Sequence, residues 1–417
     1  MRKKVLLIAF YDETPEPGRG FIPRRTVFLG KALSENDCDV TWLKSGFSHS
    51  KKQNLHRNSV WVNDHFKIIH VPGIGYKRNV CIRRYLHDWV CAKQMLSVLR
   101  TIGSVDAIVC SNQNIIASFL ACRFAKKRRI PFLLDLRDAW PDLFPYSATN
   151  KWLRPLVKLA IRPDQYLLKR TLEGSSAIIS MSQDMLHWGL KKIQRQQKPT
   201  KIFYLSTTED VTLTPQQTTI FSQKYASLLA RKTFKCFYIG RWSVLCQPSL
   251  LVELARRMQN EAVDFVLCGA GDCSEKIRRE AMLLPNVFLP GFLMQEEAYF
   301  LAKHCHCGIM LCSNEGLKQA EQVVSFFPNK SCFHFMCGLP LLNGIPGELT
   351  TVIRQYHIGL NFYGNDLQQL KELIFSLRSD DNLQCAMAKQ SRLFFEKHAN
   401  PDKVYAEYAQ FVKGFCR

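Results

Sequence analysis

A short apolar run near residue 135 is followed at once by carboxylate and guanidinium side chains. The segment FLLDLRDAWPD contains Asp135 at the end of the run and then Arg137, Asp138 and Asp142. A carboxylate at a strand end can orient or deprotonate a hydroxyl group, and an arginine can hold a phosphate through its planar fork. The alternative is a strand-end salt bridge combined with a helix cap. We take Asp138 and Arg137 as the candidate catalytic residues.

Glycine-rich segments and two cations in the second half of the chain suit an anionic ligand. The run FKCFYIG is followed by Arg241, LCGAGD contains Gly269, and PGF ends with Phe292. Further along, a Pro-Asn-Lys tract places Lys330 near the start of a predicted helix. Helix N-termini attract negative charge, so an ammonium group there favours the binding of a diphosphate. These segments predict a phosphate site at strand ends.

A third glycine-rich segment, EPGRGF, follows the first predicted strand and includes Gly20. Glycines in this position let backbone amides approach a phosphate at the start of a helix. The third glycine of a dinucleotide-binding fingerprint is absent, and a flexible turn explains the segment equally well.

The tract KHCHC at residues 303–307 contains side chains that bind metals in other settings. Because successive residues of a strand point to opposite faces, these four His and Cys side chains cannot all reach one ion. We therefore expect packing and surface roles for them and no metal site.

The candidate residues lie on an alternation of apolar runs and helical segments that is typical of parallel α/β proteins. Runs such as KVLLIAF, DAIVCS and FLLDL predict strands in the first half, and FKCFYIG, VDFVLCG and CGIMLC predict strands in the second. A polar interval at 207–219 reads as a linker. We predict α/β domains at residues 1–206 and 219–394 and a C-terminal helix within 395–417. The carboxyl ends of strands in such sheets are where ligands bind.

The composition indicates a folded protein with one strongly basic half. The 417 residues carry a net charge of +22, and residues 1–205 hold 35 Lys and Arg against 15 Asp and Glu. A basic half favours nucleic acid, anionic lipid or a phosphorylated acceptor as its partner, or it serves solubility alone. No nucleic-acid reader motif accompanies the charge, so we expect no nucleic acid to bind.

Cysteine usage and hydropathy favour a cytoplasmic location. The 16 Cys residues form no regular framework, which indicates free thiols in a reducing compartment. The N-terminal run VLLIAF is too short for a signal peptide and predicts a buried strand. No apolar stretch approaches the ~20 residues that are needed to span a bilayer.

The order and spacing of these motifs resemble the GT-B retaining glycosyltransferases of family 4, especially the type that builds bacterial surface polysaccharides. The resemblance covers nearly the whole chain, from the glycine segment after the first strand to a PNK…GLP…GE tract that ends at Glu348. It implies two Rossmann-like domains facing across a cleft, with the C-terminal helix crossing back to the first domain. The first domain would hold the acceptor, and the second would hold the nucleotide sugar.

The resemblance also implies roles for individual residues. Arg241 and Lys330 would face the donor diphosphate, and backbone groups around Phe292 would face the base. Glu348 and the preceding Gly347 would lie near the sugar or the phosphates. The remaining implied site residues are a glycine that permits domain closure, a glycine at a strand end and the pair beside the acceptor: Gly20, Gly269, Arg137 and Asp138.

Two positions depart from the family pattern. The family usually carries a lysine about five residues after the GR arginine, whereas residues 242–247 read WSVLCQ and contain no cation. The family also usually carries a glutamate that clasps the ribose hydroxyls, five residues before the glycine of GLP. Phe333 or, with a slip of one residue, His334 occupies that place. His334 is therefore the candidate ribose contact.

The function that the resemblance implies is retaining transfer of a sugar from a nucleotide-diphospho-sugar in surface polysaccharide synthesis. The acceptor would be membrane-associated, either lipid-linked or a saccharide, and the basic half would bind the anionic inner face of the membrane. No cofactor or metal is expected, since Arg241 and Lys330 would supply the positive charge. Two alternatives stay open: a nucleotide-sugar epimerase of the same fold, and a catalytically silent subunit that binds an active partner.

Overall fold

The structure is a computed structural model, and the described residues are 2–13, 25–49, 51–55, 59–78, 81–147, 151–193, 197–208, 211–243, 246–314, 316–318, 323 and 327–416. The chain divides into two compact units. One is formed by Met1–Tyr204 with Pro401–Arg417, and the other is formed by Leu205–Asn400. Each unit contains one mainly parallel sheet with helices between its strands, so the predicted α/β fold with two Rossmann-like sheets is confirmed.

The first unit is built on an eight-stranded sheet. The strands of this sheet are β1 (Lys3–Ile8), β2 (Cys38–Ser45), β5 (Ser59–Asn63), β6 (Phe66–Val71), β7 (Ala107–Ser111), β8 (Phe132–Leu136), β9 (Ala177–Ser180) and β10 (Thr200–Ile202). Between β2 and β5, strands β3 (Phe47–Ser48) and β4 (Gln53–Asn54) form a separate antiparallel pair. The sheet order is β10-β9-β8-β7-β1-β2-β6-β5, and the β5–β6 pair is antiparallel. Every residue of β7 and β8 is buried, as expected of parallel strands covered on both faces.

Within the described residues of the first unit, six α-helices connect the strands. They are α1 (Arg25–Glu35), α2 (Ile82–Thr101), α3 (Ile115–Arg128), α4 (Arg154–Ala160), α5 (Arg162–Gly174) and α6 (Gln183–Leu190). Short 3₁₀ turns at Phe144–Ser147 and Lys151–Leu153 lead into α4. No residue of α4 is buried, which sets this helix apart from the long helices that pack on the sheet.

The second unit is built on a six-stranded parallel sheet. Its strands are β11 (Phe234–Arg241), β12 (Val263–Ala270), β13 (Val287–Gly291), β14 (Cys307–Met310), β15 (Leu341–Asn343) and β16 (Gly359–Asn361). The sheet order is β13-β12-β11-β14-β15-β16, which is the order 3-2-1-4-5-6 of a Rossmann fold.

Among the described helices of the second unit, the first begins earlier than the sequence pattern predicted. They are α7 (Pro215–Lys224), α8 (Ala226–Leu229), α9 (Ser249–Arg257), α10 (Ser274–Ala281), α11 (Gln295–Lys303), α12 (Asn329–Met336), α13 (Glu348–Tyr356), α14 (Leu367–Ser379) and α15 (Asp381–Phe394), followed by a π-helical turn at Phe395–Ala399. Thr214 and Gln217 form a capping box at the start of α7, and Pro215 occupies its first position. Helix α7 therefore starts inside the interval 207–219 that was predicted as a linker.

The last helix, α16 (Pro401–Lys413), returns to the first unit as the resemblance implied. Its buried Val404, Tyr405, Tyr408 and Val412 belong to the same apolar cluster as the strands of the eight-stranded sheet. The Tyr408 ring stacks on the Phe203 ring with the centroids 4.4 Å apart. None of the helices within the described residues combines the length and apolar character needed to cross a membrane.

The strand order of each sheet reverses beside its first strand. The reversal lies between β1 and β7 in the first unit and between β11 and β14 in the second. In open parallel sheets such a reversal forms a crevice at the carboxyl ends of the strands, and ligands bind there. The topology thus provides one candidate site in each unit.

Candidate active site

The crevice of the second unit holds the side chain of Lys330, the second residue of α12. A Cβ atom on Gly240 would lie 2.0 Å from the Lys330 Nζ atom, so the ammonium group lies directly over this glycine. The Nζ atom also lies 3.8 Å from the Cys246 Sγ atom and 5.7 Å from the centroid of the Tyr238 ring. The ammonium group therefore stands at the end of β11, close to the helix N-terminus whose backbone N–H groups attract anions.

Cys246 occupies the position, five residues after Arg241, at which the resembled family carries a lysine. The thiol cannot replace the positive charge of that lysine. The approach of the Lys330 Nζ atom to the Cys246 Sγ atom brings one cation to this place nonetheless. The Lys330 ammonium group therefore lies beside the position at which the family lysine would begin.

Arg241 is the last residue of β11, and its guanidinium group is largely exposed. Its Nη2 atom donates to the Asp272 carboxylate at 3.1 Å, and the two side chains are 64% and 73% exposed. An exposed ion pair contributes only about 0–1 kcal/mol to stability. An anionic ligand can therefore draw Arg241 away from Asp272 at little cost.

Gly269 lets the ends of β11 and β12 approach each other. It has a φ of +145°, and a Cβ atom there would lie 1.8 Å from the Gly240 carbonyl oxygen. Any side chain at this position would displace the backbone of the neighbouring strand. Its predicted contact with the donor stays a prediction, and Gly20, the predicted closing glycine, lies outside the described residues.

Three further predicted donor residues lie at the ends of elements in the second unit. Phe292 follows β13 and is 77% exposed. Gly347 precedes α13 with a φ of +95°, which favours glycine, and Glu348 is the buried first residue of that helix. The N-terminus of α13 is a second anion-attracting end. The contacts of these residues with base, sugar and phosphates stay predictions.

His334, the candidate ribose contact, is completely buried within α12. Its ring packs edge-on against Phe237, and a Cβ atom on Gly308 would lie 2.3 Å from its Nδ1 atom. Burial, together with a smaller contribution from the charge of Lys330, lowers the pKa of His334 to about 3. A neutral ring enclosed in this way acts as packing, so contact with a ribose would require the ring to become accessible.

In the crevice of the first unit, Asp135 anchors a buried ion network. It accepts hydrogen bonds from Arg25 at 2.9 and 3.0 Å and from Arg137 at 2.8 Å. Arg137 donates further to Asp12 at 2.7 Å and to Thr26 at 2.8 Å. Burial alone would raise the pKa of Asp135, but the charges of Arg25 and Arg137 outweigh it and hold the pKa at about 2.

This network gives Arg137 a different role from the one its sequence position suggested. The side chain is 7% exposed, and its Nε and Nη1 atoms donate to two carboxylates and a hydroxyl group. The alternative of a strand-end salt bridge accounts for these contacts. A phosphate contact by Arg137 stays a prediction, and the side chain as placed does not favour it.

We expect Arg137→Gln to lower the free energy of unfolding by about 3 kcal/mol, because it leaves buried carboxylates without their counter-charge. Urea denaturation followed by circular dichroism measures the change. Arg170→Gln is the matched control, since Arg170 forms an exposed pair with Glu173 and its loss should change the free energy by less than about 1 kcal/mol. An unchanged unfolding free energy together with lost activity would instead support a direct catalytic role for Arg137.

Asp138, the other candidate catalytic residue, is only partly buried, and its carboxylate accepts a hydrogen bond from an amide side chain outside the ion network. Its Oδ2 atom accepts a hydrogen bond from Gln113 at 3.2 Å, and its backbone oxygen accepts one from Asn112 at 2.6 Å. Burial raises the pKa of Asp138 to about 6, against the lowering effects of the Gln113 hydrogen bond and of nearby Arg84 and Arg137. A carboxylate with this pKa is suited to accept a proton near neutral pH.

A second carboxylate of the same kind was missed by the sequence analysis. Asp88 on α2 accepts a hydrogen bond from the Tyr11 hydroxyl, and burial raises the pKa of Asp88 to about 6. Arg84, one turn earlier on α2, lies 5.0 Å from the centroid of the Tyr11 ring and 5.9 Å from that of Trp140. The available signal was the spacing of Arg84 and Asp88, but that spacing is also typical of an exposed helix pair.

Arg84, Asp88 and Trp140 border a cavity of ≈ 300 Å³ in the first unit. Its lining combines aromatic and aliphatic groups with carboxylates, amides and one guanidinium group. The residues that matter for the argument are Arg84, Asp88, Gln113, Asn114, Trp140 and Phe144. Gln113 connects the cavity to Asp138, because its amide nitrogen donates to that carboxylate. Such a mixture of aromatic faces and planar polar groups suits a hydroxyl-rich ligand with an apolar part.

The side chains of the KHCHC tract diverge in the structure. The His304 Nδ1 atom lies 2.8 Å from the Phe300 carbonyl oxygen, whereas the His306 ring stacks on Phe234 with the centroids 4.9 Å apart. In the part of the chain that the structure describes, no three His, Cys, Asp or Glu side chains are grouped so as to hold a metal ion.

No protein-family profile and no curated protein matches this chain. Solved structures do match it over nearly the whole length. Sucrose-phosphate synthase from Thermosynechococcus elongatus has a TM-score of 0.74 at 14% identity and covers 99% of both chains. HepE of Anabaena in complex with UDP has a TM-score of 0.66 at 13% identity and covers 99% of this chain and 100% of its own. WaaG, a glycosyltransferase involved in lipopolysaccharide biosynthesis, has a TM-score of 0.66 at 12% identity, over 98% and 100%. The predicted GT-B fold is thereby confirmed.

Proposed function

We propose that this protein transfers a sugar from a nucleotide-diphospho-sugar to an acceptor held at a membrane surface, in the manner of retaining family 4 enzymes. The observation that carries the proposal is the pair of cations at the strand-order reversal of the second unit. Arg241 ends β11, and Lys330 reaches the same strand end from the start of α12. Among the similar structures, HepE is described in complex with UDP and with UDP-glucose, which supports a donor of this class.

The chemistry requires that the departing diphosphate be stabilised. Interactions accelerate a reaction only when they are stronger in the transition state than in the ground state, and charge placed where charge develops is usually the largest such term. Arg241 and Lys330 would supply that charge without a metal ion, with help from the N-termini of α12 and α13. We expect neither cofactor nor metal to be required.

The acceptor would occupy the cavity of the first unit. Asp138 would orient or deprotonate the acceptor hydroxyl. Its raised pKa lies close enough to neutral pH for the ionised carboxylate to accept a proton there. Asp88 offers a second carboxylate of similar pKa on the cavity wall. Trp140 and Phe144 would pack against an apolar face of a sugar or of its aglycone.

Donor binding can be tested before any acceptor is known. We propose thermal-shift and calorimetric titrations with uridine, guanosine and adenosine diphosphate sugars, since a ligand that binds the folded state raises its stability by mass action. Saturable binding of one nucleotide class supports the proposal. If none of these nucleotides binds, the chain is better explained as a silent GT-B subunit that acts through a partner.

A surface of the first unit suits a membrane. Helix α4 has no buried residue, and Trp152 in the preceding turn is 89% exposed. Leu156 and Leu159 on α4 are 64% and 57% exposed, and Lys158 lies exposed among them. Apolar side chains beside cations are typical of segments that lie in the interface of an anionic bilayer. We propose that the protein works as a peripheral protein at the cytoplasmic face of a membrane, in surface polysaccharide synthesis.

We expect the protein to sediment with vesicles that contain an anionic lipid, but not with neutral vesicles, and to be released by high salt. Each Lys or Arg near such a surface contributes about 1 kcal/mol, an effect that fades within a Debye length. Trp152→Ala combined with Leu156→Ala should weaken vesicle binding by about tenfold or more, because two apolar contacts are lost.

Trp61→Ala is the matched control for this sedimentation assay. Trp61 is 61% exposed on β5, outside the α4 surface, so its removal should leave vesicle binding unchanged. Equal binding to anionic and neutral vesicles, or binding to neither, would remove the membrane from the proposal and leave the basic half as a solubility feature.

A further inference from the structure

An open groove with a one-sided charge adjoins the cavity of the first unit. It encloses ≈ 590 Å³ between β3, the end of β6 and the start of α2. Four of its described lining residues are cations, and none of the described lining residues is a carboxylate. The cations and the two aromatic residues among them are Lys52, Lys77, Arg78, Arg83, Phe47 and Tyr76. We call this feature the basic groove.

The wall of the basic groove is held in a defined conformation. The Arg83 Nε and Nη2 atoms donate to the carbonyl oxygens of Gly75 and Ile74 at 3.0 and 3.2 Å. Gly75 has a φ of +65°, and a Cβ atom there would lie 2.8 Å from the Phe47 ring. The Lys52 Nζ atom lies 4.8 Å from the centroid of the Tyr76 ring. Hydrogen bonds, a close glycine contact and a cation–π contact thus fix a wall rich in positive charge.

The basic groove continues into the acceptor cavity. Cys81 lines both, and the neighbouring residues Arg83 and Arg84 on α2 face one each. A ligand whose reactive hydroxyl lies in the cavity can therefore place another of its groups in the basic groove. An anionic group suits that place, because Lys77, Arg78 and Arg83 line the basic groove and none of the described lining residues is a carboxylate.

We propose that the basic groove binds a phosphate or diphosphate group carried by the acceptor. Phosphate suits this wall better than a single carboxylate, since it carries up to two negative charges and accepts the parallel hydrogen bonds of arginine forks. The acceptor of this protein is accordingly a phosphorylated saccharide or a saccharide linked through a diphosphate. That the bound phosphate belongs to an acceptor rests on the proposed function. The presence of an anion site in the basic groove can be tested independently of that function.

Inorganic pyrophosphate is the probe, and isothermal titration calorimetry at low salt is the measurement. We expect Lys77→Gln combined with Arg78→Gln to weaken pyrophosphate binding about tenfold or more, because hydrogen bonds to charged groups are lost. Both residues are exposed, so the fold should be retained. The matched control is Lys126→Gln combined with Lys127→Gln, which removes two exposed charges at the end of α3 and should leave binding unchanged.

One further variant distinguishes pyrophosphate binding at the basic groove from binding at the candidate site of the second unit. The Lys330→Ala protein should still bind pyrophosphate at the basic groove. UDP, titrated in the same series, should bind equally well to the wild type and to the Lys77→Gln/Arg78→Gln protein. A protein that binds pyrophosphate but no UDP would contradict the proposed function and still support the groove. Unchanged pyrophosphate binding in Lys77→Gln/Arg78→Gln overturns the groove proposal. The groove proposal is also overturned if Lys77→Gln/Arg78→Gln weakens only sedimentation with anionic vesicles. That result would identify the groove as a surface for lipid headgroups.

Discussion

Lys330→Ala is expected to lower the rate of sugar transfer by about 10²–10³-fold while the protein stays folded. The ammonium group lies over Gly240 at the end of β11, next to the N-terminus of α12. Under the proposed function, the departing diphosphate would gain its charge there. Alanine removes that charge and leaves the helix intact. Turnover with the donor found by titration measures the loss, and circular dichroism melting checks the fold.

Lys276→Ala serves as the control for this substitution. Lys276 forms an exposed pair with Glu280 on α10, so its removal should leave turnover within about twofold of wild type, as expected for a surface pair of small energy. Arg241→Ala should lower turnover in the same direction as Lys330→Ala, because its exposed partner Asp272 does not hold it in place. If both Arg241→Ala and Lys330→Ala turn over at near the wild-type rate, the donor site has been assigned wrongly.

Asp138→Asn should reduce turnover by about 10²–10⁴-fold, which is the usual contribution of a positioned acid or base. Asparagine keeps the shape of the side chain and removes its ability to accept a proton. Binding of the nucleotide should be nearly unchanged, because Asp138 lies in the first unit, whereas Arg241 and Lys330, the proposed donor contacts, lie in the second. In wild type, turnover should fall below about pH 6 as the carboxylate becomes protonated, and the variant should lose that dependence.

The stability of the Asp138→Asn protein separates a catalytic role from a structural one. The folded-state pKa of Asp138 is raised above its ordinary value, so the stability that its neutral form gives is present at low pH and is lost as the pH rises through about 6. At pH 7.5 the neutral asparagine avoids that loss, and we expect an equal or higher melting temperature. A lower melting temperature with unchanged turnover at permissive temperature would mean that Asp138 is a structural residue.

The sheets and the positions at their ends were predictable because each depends on a local pattern. The runs FKCFYIG and FLLDL are mainly apolar strands, and the polar residues that follow them fall at the carboxyl ends, as Arg241 and Asp138 do. The helix start at Pro-Asn-Lys can likewise be recognised from neighbouring residues alone. The position of Lys330 near a helix N-terminus was therefore predicted from the sequence. The signal for α7 was also local, in the capping box of Thr214 and Gln217, but the polar composition of that interval concealed it.

The partners of these residues were not predictable, since they come from distant parts of the chain. Asp12 lies 125 positions from Arg137, and it turns an apparent phosphate ligand into a member of a buried ion network. Tyr11 lies 77 positions from Asp88, and without it the carboxylate reads as one half of a surface pair on α2. Single-residue types fix what chemistry a side chain can do, but the topology decides which group it meets.

The return of α16 to the first unit has a consequence for how the chain is made. Residues up to Tyr204 leave the ribosome before the roughly 200 residues of the second unit, which at about 5–20 residues per second takes about 10–40 s. Throughout that interval Phe203 lacks Tyr408, and Arg25 lacks the aromatic face that lies 5.1 Å from it in the finished protein. The half that is translated first is therefore completed last, and a nascent chain of this protein has to keep an uncovered apolar surface from aggregating until its final helix emerges.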